Sequence, residues 1–352
     1  MSSKFTGRRL EFHILQSFPV SCLNRDDLGS PKSAVIGGVP RARVSSQCWK
    51  RAIRLQMHEL GCPIARRTKL IVKTIQDQCI ALGATEEQAA ACGNWTANAF
   101  TKKVDEKGVS DTLFFISDSE ARKIAEAFAE KQFQEISAKD LQKICKNAID
   151  PAHDGLDIAL FGRMVANAAE MNVEAAAAVA HAISIHKVDS DIDFFTAVDD
   201  CKSEDESGSA HMGSLEFNSA TYYRYISLDL GQLAESMKTE DIAPAVEVFT
   251  KALFLAVPSA RQATMSAATP WNYAIIALRK GQRLQLPFNS PVKISREYPD
   301  LVQAGIAEMK KLFDLYKNLY GSLFGLEYEI EFGEGRNGID AVLAGILNAI
   351  QA

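Results

Sequence analysis

The sequence lacks the signals of a membrane or secreted protein. No apolar run approaches the roughly 20 residues that a membrane-spanning helix needs, and the run Ala175 to Ala180 is followed by His181. The initial stretch MSSKFTGRRLEF has no apolar segment, so we expect no secretory signal. The cysteines are odd in number and form no C-x-x-C pair, which is typical of reduced thiols. We therefore expect a cytoplasmic protein.

Signatures of common enzymes are also missing. The chain has no phosphate-binding P-loop, no H-E-x-x-H zinc motif and no G-x-S-x-G nucleophile turn. It lacks the RNP1 stretch of RNA-recognition domains as well. We therefore expect no nucleotide-dependent chemistry. If a sheet of this protein binds RNA, loops and a helix end should make the contacts rather than aromatic side chains of the sheet.

Charge is distributed unevenly along the chain. The net charge is −5, but residues 1–73 carry 14 Lys and Arg against 4 Asp and Glu, whereas the remainder carries 25 against 40. An asymmetry of this size is typical of a protein that meets a polyanion. It would also allow the acidic part of one copy to meet the basic part of another.

Hydrophobic periodicity predicts a mixture of strands and helices. Strands are predicted at 8–16 (half-buried), 112–116, 156–160, 222–230, 271–278 and 326–332. Helices are predicted at 45–61, over most of 67–150, and at 172–185, 242–257, 296–320 and from 338. Segment 17–40 contains three prolines and three glycines and is predicted to be a long loop. The pattern indicates an α+β sheet domain with a helical insertion, for which 352 residues are sufficient.

The stretch Arg41–Arg54, RARVSSQCWKRAIR, is the strongest candidate for a binding site. It places Arg41, Arg43, Lys50, Arg51 and Arg54 around a predicted helix start, with Ser45 or Ser46 as the N-cap. A helix N-terminus attracts anions because its first N–H groups have no partner within the helix. Gln47 and His58 share the cationic face, opposite an apolar face that contains Trp49 and Ile53. The alternative is a solvated basic face.

A second candidate lies in an acidic run, which has eight Asp and Glu between Val188 and Ser207. Asp189, Asp191 and Asp193 mimic an EF-hand loop, but its glycine and its final glutamate are missing, so we expect no calcium site. Phe194-Phe195 is the anomaly. The pair either anchors the loop to the core or forms an exposed wedge that unstacks bases. Gly208 and Gly213 are predicted hinges of a projecting loop.

Six motifs in order resemble one known family. They are SCLNRDD (Ser21–Asp27), RVSSQCWKRAIR (Arg43–Arg54), DIALFGRM (Asp157–Met164), AHAISIHKVDSDIDFFTAVDD (Ala180–Asp200), GSAHMG (Gly208–Gly213) and YRY (Tyr223–Tyr225). Together they closely resemble the CasC-type backbone subunit of the type I-E CRISPR interference complex, Cascade. The resemblance covers roughly 12–61 and 154–230. It is weak across 67–150 and hard to see beyond about Pro258.

The resemblance implies a hand-shaped protein that polymerises along a guide crRNA. A ferredoxin-like palm of the RNA-recognition type would carry helical fingers and a β-hairpin thumb, which interrupts the guide–target duplex at intervals. The implied divisions are 1–61 (first part of the palm), 62–150 (fingers), 151–187 (palm), 188–222 (thumb) and 223–352 (rest of the palm and C-terminal elements).

The resemblance also implies which residues meet the guide. Residues matching the family's phosphate contacts are Arg25, Lys32, Ser45, Gln47, Lys50 and Arg54. Met164 matches a residue that packs against bases, and Phe194, Phe195 and Thr196 match the thumb residues beside the displaced nucleotide. At the position of Phe194 one family member has Trp, and another aromatic ring should still act as a wedge.

These expectations describe a non-catalytic scaffold without a cofactor. Its expected partners are the guide crRNA, target DNA paired to the guide, other copies of itself and other Cascade subunits, with no membrane partner. The enzyme alternative is a metal-dependent RNase like the backbone subunits of type III complexes, with Asp26, Asp27 and the Asp189–Asp193 cluster as candidate carboxylates. The third alternative is a single-stranded RNA-binding protein that works alone.

Overall fold

The computed structural model describes residues 4–101, 103–165, 167–197 and 211–352. The chain divides into two compact units. The first, here called the helical unit, comprises Met1–Gly7, Gln56–Ala178 and Leu228–Phe249. The second, the sheet unit, comprises Arg8–Leu55, Val179–Ser227 and Thr250–Ala352. The five divisions implied by the family resemblance remain predictions.

Regular structure alternates along the chain. The strands are β1 (Arg8–Ser21), β2 (Ser33–Ile36), β3 (Val39–Val44), β4 (Arg66–Thr68), β5 (Phe114–Ile116), β6 (Ala177–Val179), β7 (Ala182–Ser184), β8 (Asp191–Ala197), β9 (His211–Asp229), β10 (Tyr273–Lys280) and β11 (Leu326–Gly333). The helices are α1 (Ser46–Glu59), α2 (Ile71–Ala81), α3 (Glu86–Phe100), α4 (Asp118–Glu130), α5 (Ala138–Lys146), α6 (Leu156–Phe161), α7 (Leu230–Ser236), α8 (Ile242–Leu255), α9 (Gln262–Met265), α10 (Leu301–Tyr320) and α11 (Ile339–Gln351).

One large, mainly antiparallel sheet forms the framework. Seven strands follow the order β11-β10-β1-β9-β7-β3-β2, while β6 and β8 also pair with β9. The expected α+β class is therefore confirmed in its coarse form, as a mixed protein with a large antiparallel sheet. None of the described helices is long and apolar enough to cross a membrane.

Strand β1 is longer and more deeply buried than predicted. Alternation predicted a half-buried strand with Glu11 and His13 on a solvated face, yet both side chains are buried. That face lies under α10, where the His13 ring meets the Phe313 ring edge-on at 5.5 Å between centroids. Alternation identifies which residues share a face but does not tell whether another element covers that face.

About half of the predicted long loop 17–40 is strand. β1 continues to Ser21, and β2 pairs with β3 so that Ile36 faces Val39. Gly37 and Gly38 form the two-residue turn, with φ of +62° and +78°. This backbone twist suits a hairpin and favours glycine at both positions. Only 22–32 remains a loop.

Two predictions between 150 and 190 are wrong, because a predicted strand is a helix and a predicted helix contains strands. The predicted strand at 156–160 is helix α6, all six residues of which are buried. Burial on every side removes the polar positions from which a helical period would be recognised. The predicted alanine-rich helix at 172–185 contains the short strands β6 and β7 instead. Pairing of β7 with β3 and β9 outweighs the helix propensity of alanine.

Elsewhere the predicted elements are present. Two capping boxes of the helical unit, Thr85 with Gln88 and Ser117 with Glu120, form their reciprocal hydrogen bonds at the starts of α3 and α4. The last three elements, α10, β11 and α11, follow the predicted order, although α10 begins at Leu301 because Asp300 caps it.

Candidate nucleic-acid interface

The loop 22–32 is held closed by its own hydrogen bonds. The N–H of Asp26 donates to the carbonyl of Ser30 at 2.9 Å, and that of Lys32 to the carbonyl of Asn24 at 2.9 Å. The Asp26 carboxylate accepts from the N–H groups of Leu28 and Ser30, both at 2.9 Å. The loop is therefore pre-shaped. It carries the predicted phosphate contacts Arg25, which is exposed, and Lys32, which is half-buried.

The same loop is tied to the start of α1. The side-chain oxygen of Asn24 accepts from the N–H of Ser45 at 2.9 Å. Ser45 is the N-cap, as predicted, because its hydroxyl oxygen accepts from the N–H of Cys48 at 3.3 Å. Its side chain is almost fully buried. Arg25 and Lys32 are thus positioned next to a helix N-terminus.

Helix α1 separates a core face from a polar face, as its spacing predicts. Trp49, Ile53 and Met57 are buried, and the guanidinium of Arg224 stacks 3.6 Å from the centre of the Trp49 ring. On the other face, Gln47 and Arg51 are exposed while Lys50 and Arg54 are half-buried. We call loop 22–32 together with Ser45, Gln47, Lys50 and Arg54 the basic surface.

Arg41 does not belong to that surface. It was counted among the five basic side chains around the helix start, but it is fully buried. Its guanidinium donates to the carbonyl of Ser184 at 2.7 Å and to those of Phe288 and Asn289 at 3.3 and 3.2 Å. Burial lowers the pKa of Arg41 from its ordinary value. Arg41 therefore joins β3 to the irregular segment after β10.

His181 lies at the helix start, which sequence reasoning did not foresee. Its Nδ1 accepts from the N–H of Ser46 at 3.3 Å and lies 3.4 Å from the guanidinium of Arg43. Burial, and then the charges of Arg43 and Lys32, lower the pKa of His181. The ring therefore favours its neutral form. His181 is part of the predicted helix 172–185, but the structure places it between β6 and β7.

The predicted thumb residues lie on a two-stranded hairpin. β8 pairs with residues 211–217 of β9, and we call this pair of segments the aromatic hairpin. Neighbouring residues of a strand point to opposite faces. Phe194 is 76% exposed, on the same face as the exposed Ile192 and Met212. The core-anchor reading is therefore wrong for Phe194. Thr196 is exposed on that face too.

Phe195 lies on the opposite face, where it is 39% exposed. Phe195 pairs with Gly213, and a Cβ added to Gly213 would overlap the Phe195 ring. Gly213 is thus a strand residue that makes room for an aromatic ring, rather than the predicted hinge. The other predicted hinge, Gly208, lies outside the described residues.

Met164, the remaining predicted contact, belongs to the helical unit. It is 86% exposed, between the buried Arg163 and Val165. The N–H of Val165 donates to the side-chain oxygen of Asn172 at 2.7 Å, so the backbone beside Met164 is fixed. An apolar side chain this exposed on an ordered backbone is available for contact with a flat apolar partner.

Three tyrosines of β9 and β10 are not available to stack on bases. Tyr223, Tyr225 and Tyr273 are buried, packed with residues of α10 and with Leu286 and Phe288. The hydroxyl of Tyr225 donates to Glu11 at 2.6 Å, and that of Tyr223 accepts from the N–H of Leu286 at 3.0 Å. Bases therefore cannot stack on these three rings. Contacts with RNA from loops and a helix end remain a prediction.

One glycine motif was overlooked in the sequence. Gly333–Gly338 reads GEGRNG, follows β11 and precedes α11, which is the spacing of dinucleotide-binding loops. Those loops follow a parallel strand, whereas β11 pairs antiparallel with β10. The N–H groups of Gly333 and Arg336 donate to carbonyls within the motif, those of Asn337 and Gly333. The motif is a closed turn rather than a phosphate site.

The candidate carboxylates of an RNase belong to two segments of the described chain, loop 22–32 and β8 with the residues just before it. Asp26 holds its own loop, and Asp191 and Asp193 lie on β8. Across the described ranges, no group of three His, Cys, Asp or Glu side chains is placed to hold a metal ion.

Comparison with known proteins gives consistent matches. A chain of a structure described as "CRISPR RNA-guided surveillance complex, pre-nicking" superposes with a TM-score of 0.77 at 27% identity, covering 96% of this chain and 99% of that one. A chain of a second structure, "CRISPR RNA-guided surveillance complex", shares the fold with a TM-score of 0.68 at 23% identity, covering 97% and 99%. Comparison with curated proteins finds no significant match.

The family comparison extends beyond the motifs. A sequence model of a Cas protein family, described as CT1975-like protein, matches residues 10–330. This range includes 67–150 and the region after Pro258, where the motifs gave little or no resemblance. The chain therefore belongs to the CT1975-like family of Cas proteins.

Proposed function

We propose that this protein is a crRNA-binding backbone subunit of a type I-E CRISPR surveillance complex. Copies of it would polymerise along the guide, with a ferredoxin-like palm (1–61, 151–187 and 223–352), helical fingers (62–150) and a thumb (188–222) that contains the aromatic hairpin. The proposal is supported by family membership and by likeness over nearly the whole chain to subunits of RNA-guided surveillance complexes.

The observation that carries the proposal is the bond between Asn24 and Ser45. It places the cations of a pre-shaped loop beside the N-terminus of α1. Lysine and arginine side chains contact phosphates without reading bases. A subunit that accepts any guide requires this kind of contact. Target DNA would then be recognised by pairing with the guide, while the protein holds the backbone.

Phe194 and Met164 supply the second half of the proposed activity. Both are exposed apolar side chains on ordered backbone. At regular intervals along the guide, such side chains would interrupt stacking of the bases, since each base stacked on an aromatic ring gains about 1–3 kcal/mol.

We also propose that the subunit is not an enzyme. The carboxylate of Asp26, the main candidate for a type III-like RNase, is already engaged by two N–H groups of its own loop. Asp26→Asn would keep one acceptor oxygen for the loop and remove the charge. RNA incubated with Mg²⁺ should stay intact with both the wild type and this variant. Cleavage by the wild type that Asp26→Asn abolishes would establish the RNase.

The test of guide binding neutralises two cations of the basic surface. For the Lys50→Gln/Arg54→Gln variant we expect weaker binding of every single-stranded RNA and a salt slope lower by about 1.4, since each lost phosphate contact in a single strand contributes about 0.7. The matched control, Arg122→Gln/Lys123→Gln, removes the same charge from the exposed face of α4. Loss of affinity for one RNA sequence only, or an equal loss in the control, would contradict the proposal.

A further inference from the structure

A buried ion pair lies within the helical unit, next to the exposed Met164. The side chains of Arg163 and Glu120 are 1% and 0% exposed. One guanidinium nitrogen of Arg163 donates to both carboxylate oxygens of Glu120, at 2.8 and 2.9 Å. Such a pair has to offset the loss of hydration of two charges, so it needs further hydrogen bonds to be tolerated.

Those further bonds connect three segments. Arg163 also donates to the carbonyl of Phe115 at 3.0 Å, in β5, and to that of Met171 at 3.2 Å, beyond Met164 in the chain. The guanidinium thus joins the end of β5, the start of α4 and the segment that follows Met164. Removing it would leave these carbonyls and a buried carboxylate without their donor.

Glu120 does more than cap α4. In its capping box, Glu120 accepts from the N–H of Ser117 at 2.9 Å. The other capping box of this unit does the same with a neutral residue, since Gln88 accepts from the N–H of Thr85 at 3.0 Å. Capping requires an acceptor oxygen, which either residue type provides. The charge of Glu120 is therefore explained by Arg163 and not by the cap.

Arg163 in turn fixes the backbone on which Met164 stands. Arg163 and Val173 exchange backbone hydrogen bonds at 3.0 and 2.9 Å, which closes the segment containing Met164. Gly162 precedes it with φ of +78°, a conformation that favours glycine. Met164 thus combines a flexible side chain with a backbone anchored on both sides. A side chain of this kind can adapt to any base while its position stays fixed.

We propose that Arg163, held by Glu120, is a positioning residue that fixes Met164 for contact with bases. This inference rests on the proposed function, because the contact between Met164 and bases is part of it. Arg163 does not touch the nucleic acid. Its effect on binding is transmitted through the location of Met164.

The test is a double-mutant cycle in the full-length chain. Glu120→Gln/Arg163→Met removes both charges together, so that no unpaired buried charge is left and the cap acceptor remains. This pair of changes is combined with Met164→Ala. Gln88→Ala serves as the control, since it weakens the other capping box without touching an ion pair. Circular dichroism at each step verifies that the variant is folded.

Two readouts give separate answers. We expect hydrogen exchange at the N–H groups of Val165 and Val173 to become about tenfold faster in the Glu120→Gln/Arg163→Met variant, through local opening, and to be unchanged in the control. We expect Met164→Ala to weaken binding of a single-stranded RNA about fivefold. This corresponds to the lower end of the affinity loss expected when one contact with a base is removed. The charge-pair variant should weaken it similarly, and the triple variant no further.

Each contrary result has its own meaning. Unchanged exchange at Val165 and Val173, or losses of affinity that add up in the triple variant, would overturn the positioning role. Met164→Ala without effect on RNA affinity would overturn the base contact on which the role depends. Failure of the wild type to bind any RNA would overturn the proposed function itself.

Discussion

The basic surface and the aromatic hairpin are both predicted to meet RNA, but they are built differently. Side chains of the basic surface stand on elements joined by the part-buried hydrogen bond from Ser45 to Asn24 and by the stacking of Arg224 on the buried Trp49. The aromatic hairpin consists of two paired strands, and Phe194 leaves most of its ring exposed. One region is anchored in the core, whereas the other projects apolar groups.

The two regions suit two different tasks, which are holding a phosphate backbone and interrupting a stack of bases. Holding a phosphate backbone in register requires donors in fixed positions, since each misplaced contact loses a charge-assisted bond. Interrupting a base stack requires an apolar ring in solvent, and its free energy comes from the base rather than from the protein. Substitutions should therefore affect stability when they lie under the basic surface, and mainly RNA structure when they lie at the tip of Phe194.

The largest effect is expected beneath the basic surface, at Arg41. Arg41→Met should lower the free energy of unfolding by about 3 kcal/mol, because the carbonyls of Ser184, Phe288 and Asn289 lose their buried cationic donor. Urea denaturation measures the change. The matched control is the exposed Arg51→Gln, which should stay within about 0.5 kcal/mol of the wild type. Equal stability of the two variants would show that the hydrogen bonds of the buried Arg41 do not stabilise the fold more than the exposed Arg51 does.

A pH effect of intermediate size is expected at His13, in the sheet that carries the basic surface. Burial, and then the charge of Arg279, lower the pKa of His13 to about 3. The hydroxyl of Tyr223, which accepts from the N–H of Leu286, lies 2.9 Å from Nδ1 of the His13 ring, within hydrogen-bond distance. Below pH 6.5 His13 therefore binds a proton in the unfolded chain but stays neutral in the folded chain. The free energy of unfolding falls as the pH is lowered from 6.5 toward 3.

The expected loss through His13 between pH 7.5 and pH 5.0 is about 2 kcal/mol. Urea denaturation at both pH values should show that His13→Gln removes this part of the pH dependence, since glutamine does not titrate. His58→Gln, at an exposed position near the end of α1, should retain the wild-type dependence. If His13→Gln behaves like the control, the buried ring does not govern acid stability of the sheet.

The basic surface was more predictable from sequence than its support. Spacing and capping rules located α1, its N-cap Ser45 and its two faces, because these are properties of neighbouring residues. Burial of Arg41 depends on Phe288 and Asn289, more than 240 positions away. His181 reaches the helix start only because 172–185 folds as strands. Such placements depend on long-range pairing, which no local pattern contains.

The aromatic hairpin shows the same limit on a smaller scale. The two adjacent phenylalanines stand out in the acidic run of the sequence. That their rings lie on opposite faces follows only from the pairing of β8 with β9. Once the hairpin is known, alternation assigns Phe194 to one face and Phe195 to the other, and Gly213 explains where the second ring lies. A glycine in the sequence predicts a hinge at Gly213 because glycine is flexible. The packing of Phe195 against Gly213, which explains the glycine, depends on the strand pairing.

The smallest effect on stability is expected at the tip of the hairpin. Phe195→Ala should cost at most about 1 kcal/mol, the scale of a cross-strand contact, because its ring packs over Gly213. Phe194→Ala should stay within about 0.5 kcal/mol of the wild type, since its ring is mostly in solvent. In a complex with 2-aminopurine in the guide, Phe194→Ala should nevertheless cause the larger change in fluorescence, because it removes the ring that interrupts stacking. Phe194→Trp, which restores the family's residue, should retain the wild-type signal. A larger fluorescence change with Phe195→Ala would assign the wedge to the other ring.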